Sequence, residues 1–275
     1  MRPHHYRLLA SAAVLGALLT GTFPAQAQSA QTPNGTHVDS NGFYVWDHEP
    51  FTLQHAHTFV VQGVRSDHGC VFTSGVQLNS ATPRLAQQQL GVNPESCQEI
   101  LSQGLPDGPW HGTVPTPSSG KPGSPTPDIL PCGSSTAHAF QKYYDPANIT
   151  VTSQTTYLTW YYNGSYLCGT AYGSVSPYGF YDGWYLEPGY CDCTWTDQSS
   201  AYYAAEKSGN YYWENDFWCE QFGCYGGSTY TAYYWNIIYG NQYGQINAYQ
   251  TYSAWGGDSG LLHWYGDWCY GTGRC

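Results

Sequence analysis

Positive charge is the scarcest commodity in this chain: eight lysines and arginines stand against nineteen aspartates and glutamates in 275 residues, a formal net charge of −11. From Gln28 onward only six of the eight remain, against the same nineteen acids, and the balance is −13. A surface of that sign repels phosphate backbones and anionic headgroups, which argues against nucleic acid and an anionic membrane surface as partners. Long apolar runs are also missing. The nearest is Leu8–Leu19, short of the ~20 residues that cross a bilayer, so no transmembrane segment is expected.

That run follows Arg2 and Arg7 and precedes Ala25-Gln26-Ala27, the small residues a signal peptidase requires. Residues 1–27 therefore read as a signal peptide, and the rest as a secreted protein, extracellular or periplasmic. All ten cysteines lie beyond it: Cys70, Cys97, Cys132, Cys168, Cys191, Cys193, Cys219, Cys224, Cys269 and Cys275. An even number in an oxidising compartment predicts up to five disulfides. Cys70 with Cys97 and Cys269 with Cys275 are the natural pairings; the other partners stay open. Cys191 and Cys193 are too close for a zinc knuckle, and Cys219–Cys224 has no matching knuckle, so neither a metal nor another cofactor is expected.

Aromatic residues supply what charge does not, with 27 Tyr, 11 Trp and 9 Phe. Their distribution is uneven. Gly112–Asp128, GTVPTPSSGKPGSPTPD, has almost no large apolar side chain and reads as the core of a linker over 105–131. Between Gln28 and that linker there is one tyrosine, Tyr44, and after it there are twenty-five. The expected organisation is a small N-terminal β/α unit over 28–104, a possible prodomain, and a Tyr/Trp-rich β-domain over 132–275.

Period-two alternation dominates the second part. Tyr157, Thr159 and Tyr161 alternate with Leu158, Trp160 and Tyr162, and Asn163-Gly164 suits a tight type I′ turn before strand residues resume. Thr229, Thr231, Tyr233, Trp235, Ile237 and Tyr239 share one face of a second strand, and Ile246, Ala248, Gln250, Tyr252 and Ala254 one face of a third, with Gly240-Asn241 as the turn between them. Phe43–Trp46, Phe51–Val64 and Gly69–Leu78 read as strands in the first part. One helix is signalled there: Asn93 as cap, Pro94 at the first position, Glu95 on the dipole, Cys97, Ile100 and Leu101 on one face, and Gly104 as the stop. Ser199–Lys207, rich in Ala, is a weaker candidate for a helical turn. Many short strands at turn spacings of about 8–12 residues predict a mostly β, disulfide-linked, antiparallel sandwich or barrel.

Such a sheet can carry a binding surface. Tyr161-Tyr162, Tyr202-Tyr203, Tyr211-Tyr212 and Tyr233-Tyr234 are adjacent pairs, so within a strand one member of each faces outward. A flat ring with a polar edge fits the C–H face of a sugar. The expected role is non-catalytic binding of polysaccharide or another extracellular polymer by Tyr161, Trp184, Tyr211, Trp213, Tyr233 and Trp235. One alternative is a hydrolase, glycosidase or acid-type peptidase, using Glu187 and Glu214, which sit among aromatic residues in GWYLEPGY and YYWENDFW. Another is a structural envelope protein whose rings only hold its sheets together. His55 and His57 would share a strand face, a spacing able to start a metal site.

Gly257-Asp258-Ser259-Gly260 resembles the nucleophile loop of chymotrypsin-like serine peptidases, with Thr136-Ala137-His138 as an echo of the histidine neighbourhood. Leu261 stands where that family has a further glycine, and sixteen residues after Ser259 are too few for the remaining strands. A glycine-rich turn accounts better for the segment. Asn34-Gly35-Thr36, Asn148-Ile149-Thr150 and Asn163-Gly164-Ser165 match the glycosylation pattern.

Overall fold

Alternation of buried and exposed residues carries most of the described residues into antiparallel strands. The computed structural model describes residues 36–49, 51–67, 69–79, 84–107, 132–179, 184–186, 198–199, 204–215, 230–256 and 259–271, with backbone alone for 185–186, 198–199, 204–215 and 230. The signal-peptide reading, most of the linker, Tyr202, Glu187, Cys191, Cys193, Cys219, Cys224 and Cys275 lie outside the described residues. In chain order the strands are β1 (Thr36–Val38), β2 (Tyr44–Trp46), β3 (Leu53–Gln62), β4 (Val64–Ser66), β5 (Gly69–Leu78), β6 (Arg84–Asn93), β7 (Gln98–Pro106) and β8 (Gly133–Tyr144). They continue as β9 (Thr150–Tyr162), β10 (Tyr172–Gly179), β11 (Trp184–Leu186), β12 (Gln198–Ser199), β13 (Ala204–Asn215), β14 (Tyr230–Asn241), β15 (Ile246–Trp255) and β16 (His263–Tyr270).

A nine-stranded sheet runs β1-β2-β6-β16-β8-β9-β10, with β7 on the other edge of β6 and β3 beyond it. A seven-stranded sheet runs β11-β13-β14-β15-β5-β4, with β12 also on β13. β8 and β9 of the first sheet pack against β14 and β15 of the second. Between them lie Leu158, Trp160, Trp264, Ala232, Tyr234, Ile238 and Tyr252, all fully buried. The layered antiparallel architecture and the disulfide links agree with the sequence; the α component does not.

Two helix expectations are corrected. Asn93 does cap, its side-chain oxygen accepting from the amides of Glu95 and Ser96 at 2.9 and 3.0 Å, but the cap closes a turn. Cys97 takes φ 52° and reverses the chain, Arg65 and Gln62 donate to carbonyls of 94–97, and Gln98–Pro106 returns as β7 along β6. Tertiary partners satisfy the turn carbonyls that a helix would have kept for itself. Of the second candidate, Ser199 ends β12 and Ala204–Lys207 is strand in register with Ile238–Asn241.

The expected division at the linker does not separate two bodies. β5 pairs with β15 and β6 with β16, so strands from before and after it share both sheets. The linker's first residues, Leu105 and Pro106, already belong to β7. Cleaving off the first part as a prodomain would strip strands from both layers.

Both anticipated hairpins form, with other turns. Of the expected turn pair only Gly164 takes positive φ (87°); Asn163 instead accepts from the amides of Ser165 and Tyr166, and β10 re-pairs at Tyr172 opposite Thr159. In the second, Asn241 accepts from Tyr243 and Gln245, and Gly244 takes φ 77°. Cys70–Cys97 is bonded as expected, and Cys132 pairs with Cys168. Cys269 is disulfide-bonded too, to a partner outside the described residues.

Candidate functional site

β14, β15 and β5 lie side by side, and their inner residues are spoken for by the core. In β14 the even positions Ala232, Tyr234, Asn236 and Ile238 are buried, so the odd positions turn outward. Trp235 is 39% exposed, while Tyr233, Ile237 and Tyr239 are half-buried beside it. Directly across in β15 stand Ser253, Thr251, Tyr249 and Asn247, with Tyr249 45% exposed.

Tyr249 has an unusual seat. Its partner in β5 is Gly75, and a Cβ built there would lie 2.7 Å from Tyr249 Cδ1. The ring therefore lies across β5 at a place only glycine leaves open. Tyr239 meets the same ring edge-on at 6.2 Å between centroids. The hydroxyls of Thr73 and Thr251 are bonded at 3.2 Å beside it, and Gln77 and Asn247 are exposed at its margin. The result is a strip of rings on one face of the sheet, bordered by neutral hydrogen-bonding groups.

The predicted ligand residues divide. Tyr233 and Trp235 belong to this strip. Tyr161 is 37% exposed but sits in the nine-stranded sheet, edge-on to Tyr172 at 6.5 Å, so the six do not share one sheet. Trp184 is 6% exposed, which removes it as a contact residue. Tyr211 and Trp213 stand in register opposite Tyr234 and Ala232, whereas Tyr212 stands opposite Tyr233. Tyr249 and Tyr239 were missed, although the Gly75 that frees the space is visible in the sequence as a lone glycine inside a strand pattern. The adjacent-pair argument holds where side chains are described: Tyr161 is exposed and Tyr162 buried, Tyr233 half-buried and Tyr234 fully buried.

Of the two predicted acids, Glu214 pairs in register with Thr231 and Tyr185, and Glu187 lies outside the described residues, so no geometry joins them. The structure singles out another acid. Glu99 of β7 is fully buried between the sheets; Tyr252 donates to one carboxyl oxygen and Gln89 to the other, each at 2.7 Å. Burial pushes its pKa up to about 8 against those two hydrogen bonds, leaving a neutral acid at neutral pH. A cleft of about 210 Å³, walled by Arg65, Phe72, Trp255 and Ser259, reaches Tyr143 and Gln89, the second of which donates to Glu99.

Ser259–Leu261 forms a single 3₁₀ turn at that cleft, and His138, the other half of the peptidase echo, bonds the Gly271 carbonyl from β8. Gly257 and Asp258 lie outside the described residues. The shared-face expectation for His55 and His57 fails because His55 takes φ 53° at a register slip in β3. Among the described residues no group of three or more His, Cys, Asp or Glu is placed to hold a metal ion.

No family model matches the chain, and no curated protein matches it. Among solved structures it is compared with a protein of unknown function from the DUF3598 family of Nostoc punctiforme, at 11% identity over 80% of this chain and 74% of that one. The TM-score of that superposition is 0.11, and it bears on neither fold nor function.

Proposed function

We propose that this is a secreted, non-catalytic binding protein that grips polysaccharide, or another neutral extracellular polymer, with the strip of β14, β15 and β5. The observation that carries the reading is Tyr249 seated against Gly75 with Trp235 on the same outward side of the neighbouring strand, both exposed instead of packed into the core. A sugar unit stacks its C–H face on such a ring, and the bordering Thr, Asn and Gln groups take its hydroxyls without charge. Disulfides at Cys70–Cys97 and Cys132–Cys168 suit an oxidising compartment. No helix among the described residues is long and apolar enough to cross a membrane.

The test is depletion from solution by insoluble cellulose, chitin, xylan and peptidoglycan, with the Trp235→Ala/Tyr249→Ala double variant beside the wild type. At about 0.5–1.5 kcal/mol per ring, the double variant is expected to bind roughly fivefold or more weakly. Both positions are exposed, so its melting temperature is expected to stay close to that of the wild type. Depletion by none of the four polymers overturns the proposal; undiminished retention of the double variant takes the site away from this face.

A further inference from the structure

β16 is buried along its whole length, His263–Tyr270, although one face of its sheet points away from the sandwich interior. What covers that outer face is a second apolar cluster, in which Phe51 and Phe140 pack on Leu53, Tyr144 and Tyr265. An ammonium group lies among these rings. Lys142 Nζ is 4.7 Å from the centroid of Tyr144, 4.9 Å from Phe51, 5.1 Å from Tyr265 and 5.3 Å from Phe140. Rings hold a cation in place but leave its three N–H donors without acceptors.

Two more unused groups lie alongside. Arg84 Nη2 is 3.3 Å from Asp267 Oδ2, which also accepts from the Tyr265 hydroxyl at 3.2 Å. Arg84 Nε and Asp267 Oδ1 are buried with no hydrogen-bond partner, on side chains 12% and 1% exposed. A buried polar atom left unpaired costs about 1–3 kcal/mol, and here a donor and an acceptor are left so beside the half-buried Lys142. Lys142, Arg84, Asp267, Phe51, Phe140 and Tyr265 all line one cavity of about 250 Å³.

The chemistry of the wall selects its ligand. Two cations face two carboxylates, but Asp267 is already shared by Arg84 and the Tyr265 hydroxyl, and Asp107 is exposed at the rim and accepts from Gln54 at 2.8 Å, which leaves the Lys142 ammonium without an ion-pair partner among the described residues. A carboxylate can accept from Lys142 and Arg84 Nε together. Asp267 Oδ1 calls for a hydroxyl donor, and the phenyl rings call for a flat or chair-shaped ring. The volume is below the ~300–1,000 Å³ of sites for drug-sized molecules, which limits the guest to a single ring.

We propose that this cavity binds a monocyclic hydroxycarboxylate, its carboxylate on Lys142 and Arg84, its hydroxyl on Asp267, and its ring against Phe51 and Phe140. The site is on the opposite sheet from the aromatic strip and stands independently of polymer binding. Sugar acids and hydroxylated aromatic acids share this chemistry, and the experiment separates them: calorimetric titration of the full secreted chain with glucuronate and with salicylate, against glucose and phenol as uncharged counterparts.

At least one of the two acids is expected to bind tenfold or more tightly than its neutral counterpart. Lys142→Met, which keeps the stem among the rings, is expected to lose that binding by tenfold or more. Thr52→Trp, an exposed position on the cavity rim, is expected to lose it as well with the melting temperature unchanged and Lys142 intact. Binding of neither acid, equal binding of acid and neutral counterpart, or full binding by both variants would each overturn the assignment.

Discussion

Thermal stability is expected to peak near pH 4.5–5 and to fall by about 3 kcal/mol on the way to pH 8, because the folded chain holds a proton that the unfolded chain has already released. Glu99 is the group responsible. Its folded pKa is raised to about 8 from 4.5, so across that window the native state binds more protons and loses about 1.4 kcal/mol per pH unit. Asp267, raised by burial to about 6 from 3.8, adds to the fall at the acid end. His263, lowered by burial to about 4, and His138, lowered likewise, act in the other direction: their contribution is lost as pH drops below 6.5. They offset much of the Asp267 slope below pH 6.5, and from there to pH 8 Glu99 stands almost alone. Lys142, lowered to about 8 by burial, reverses the trend only above that pH.

Calorimetric melting from pH 4.5 to 8 reads this as a drop of roughly 10 °C for a chain of this size. Glu99→Gln is the decisive variant, since an amide can keep the bonds to Tyr252 and Gln89 without titrating. It is expected to match the wild type at pH 5, to exceed it at pH 8, and to flatten the profile between. A wild-type melting temperature that holds level or rises from pH 6.5 to 8 would show that Glu99 ionises without cost.

How far the sequence announces this arrangement depends on where each strand lies. β9, β14 and β15 each present one face to the core and one outward, and their alternation is legible residue by residue. β16 has no such contrast: HWYGDWCY is covered on both sides, so it shows no period and no signal. β7 was hidden by its own entrance. Asn93, Pro94 and Glu95 carry the chemistry that begins a helix, and the same side-chain acceptor serves a β-turn equally well. For the candidate site the obstacle is that Tyr occupies both faces of β14, so composition cannot tell Tyr233 from Tyr234. Glu99 is invisible for another reason. Its partners, Tyr252 and Gln89, come from opposite sheets and meet it only on folding.

Trp264→Ala is expected to destabilise the protein by about 4–5 kcal/mol, the upper range for a buried aromatic truncation. The ring is fully buried and stacked on Tyr252, 3.8 Å between centroids at 7°. Its Nε1 donates to Gln141 Oε1 at 3.0 Å, so truncation orphans a buried acceptor besides opening a cavity. The complementary change tests the same packing from the other side. Gly266, two residues along β16, leaves the space that the Trp264 ring and the Gln250 amide occupy, and a Cβ there would overlap both. Neither can yield: Gln250 is fully buried and donates to the Phe140 carbonyl at 2.9 Å, and Trp264 is pinned against Tyr252. Gly266→Ala is therefore expected to cost about 3 kcal/mol although it adds a single methyl. Chemical denaturation at pH 5 gives both values. If Gly266→Ala costs less than about 1 kcal/mol, β16 is not clamped between the two layers, and the large loss expected for Trp264→Ala goes with it.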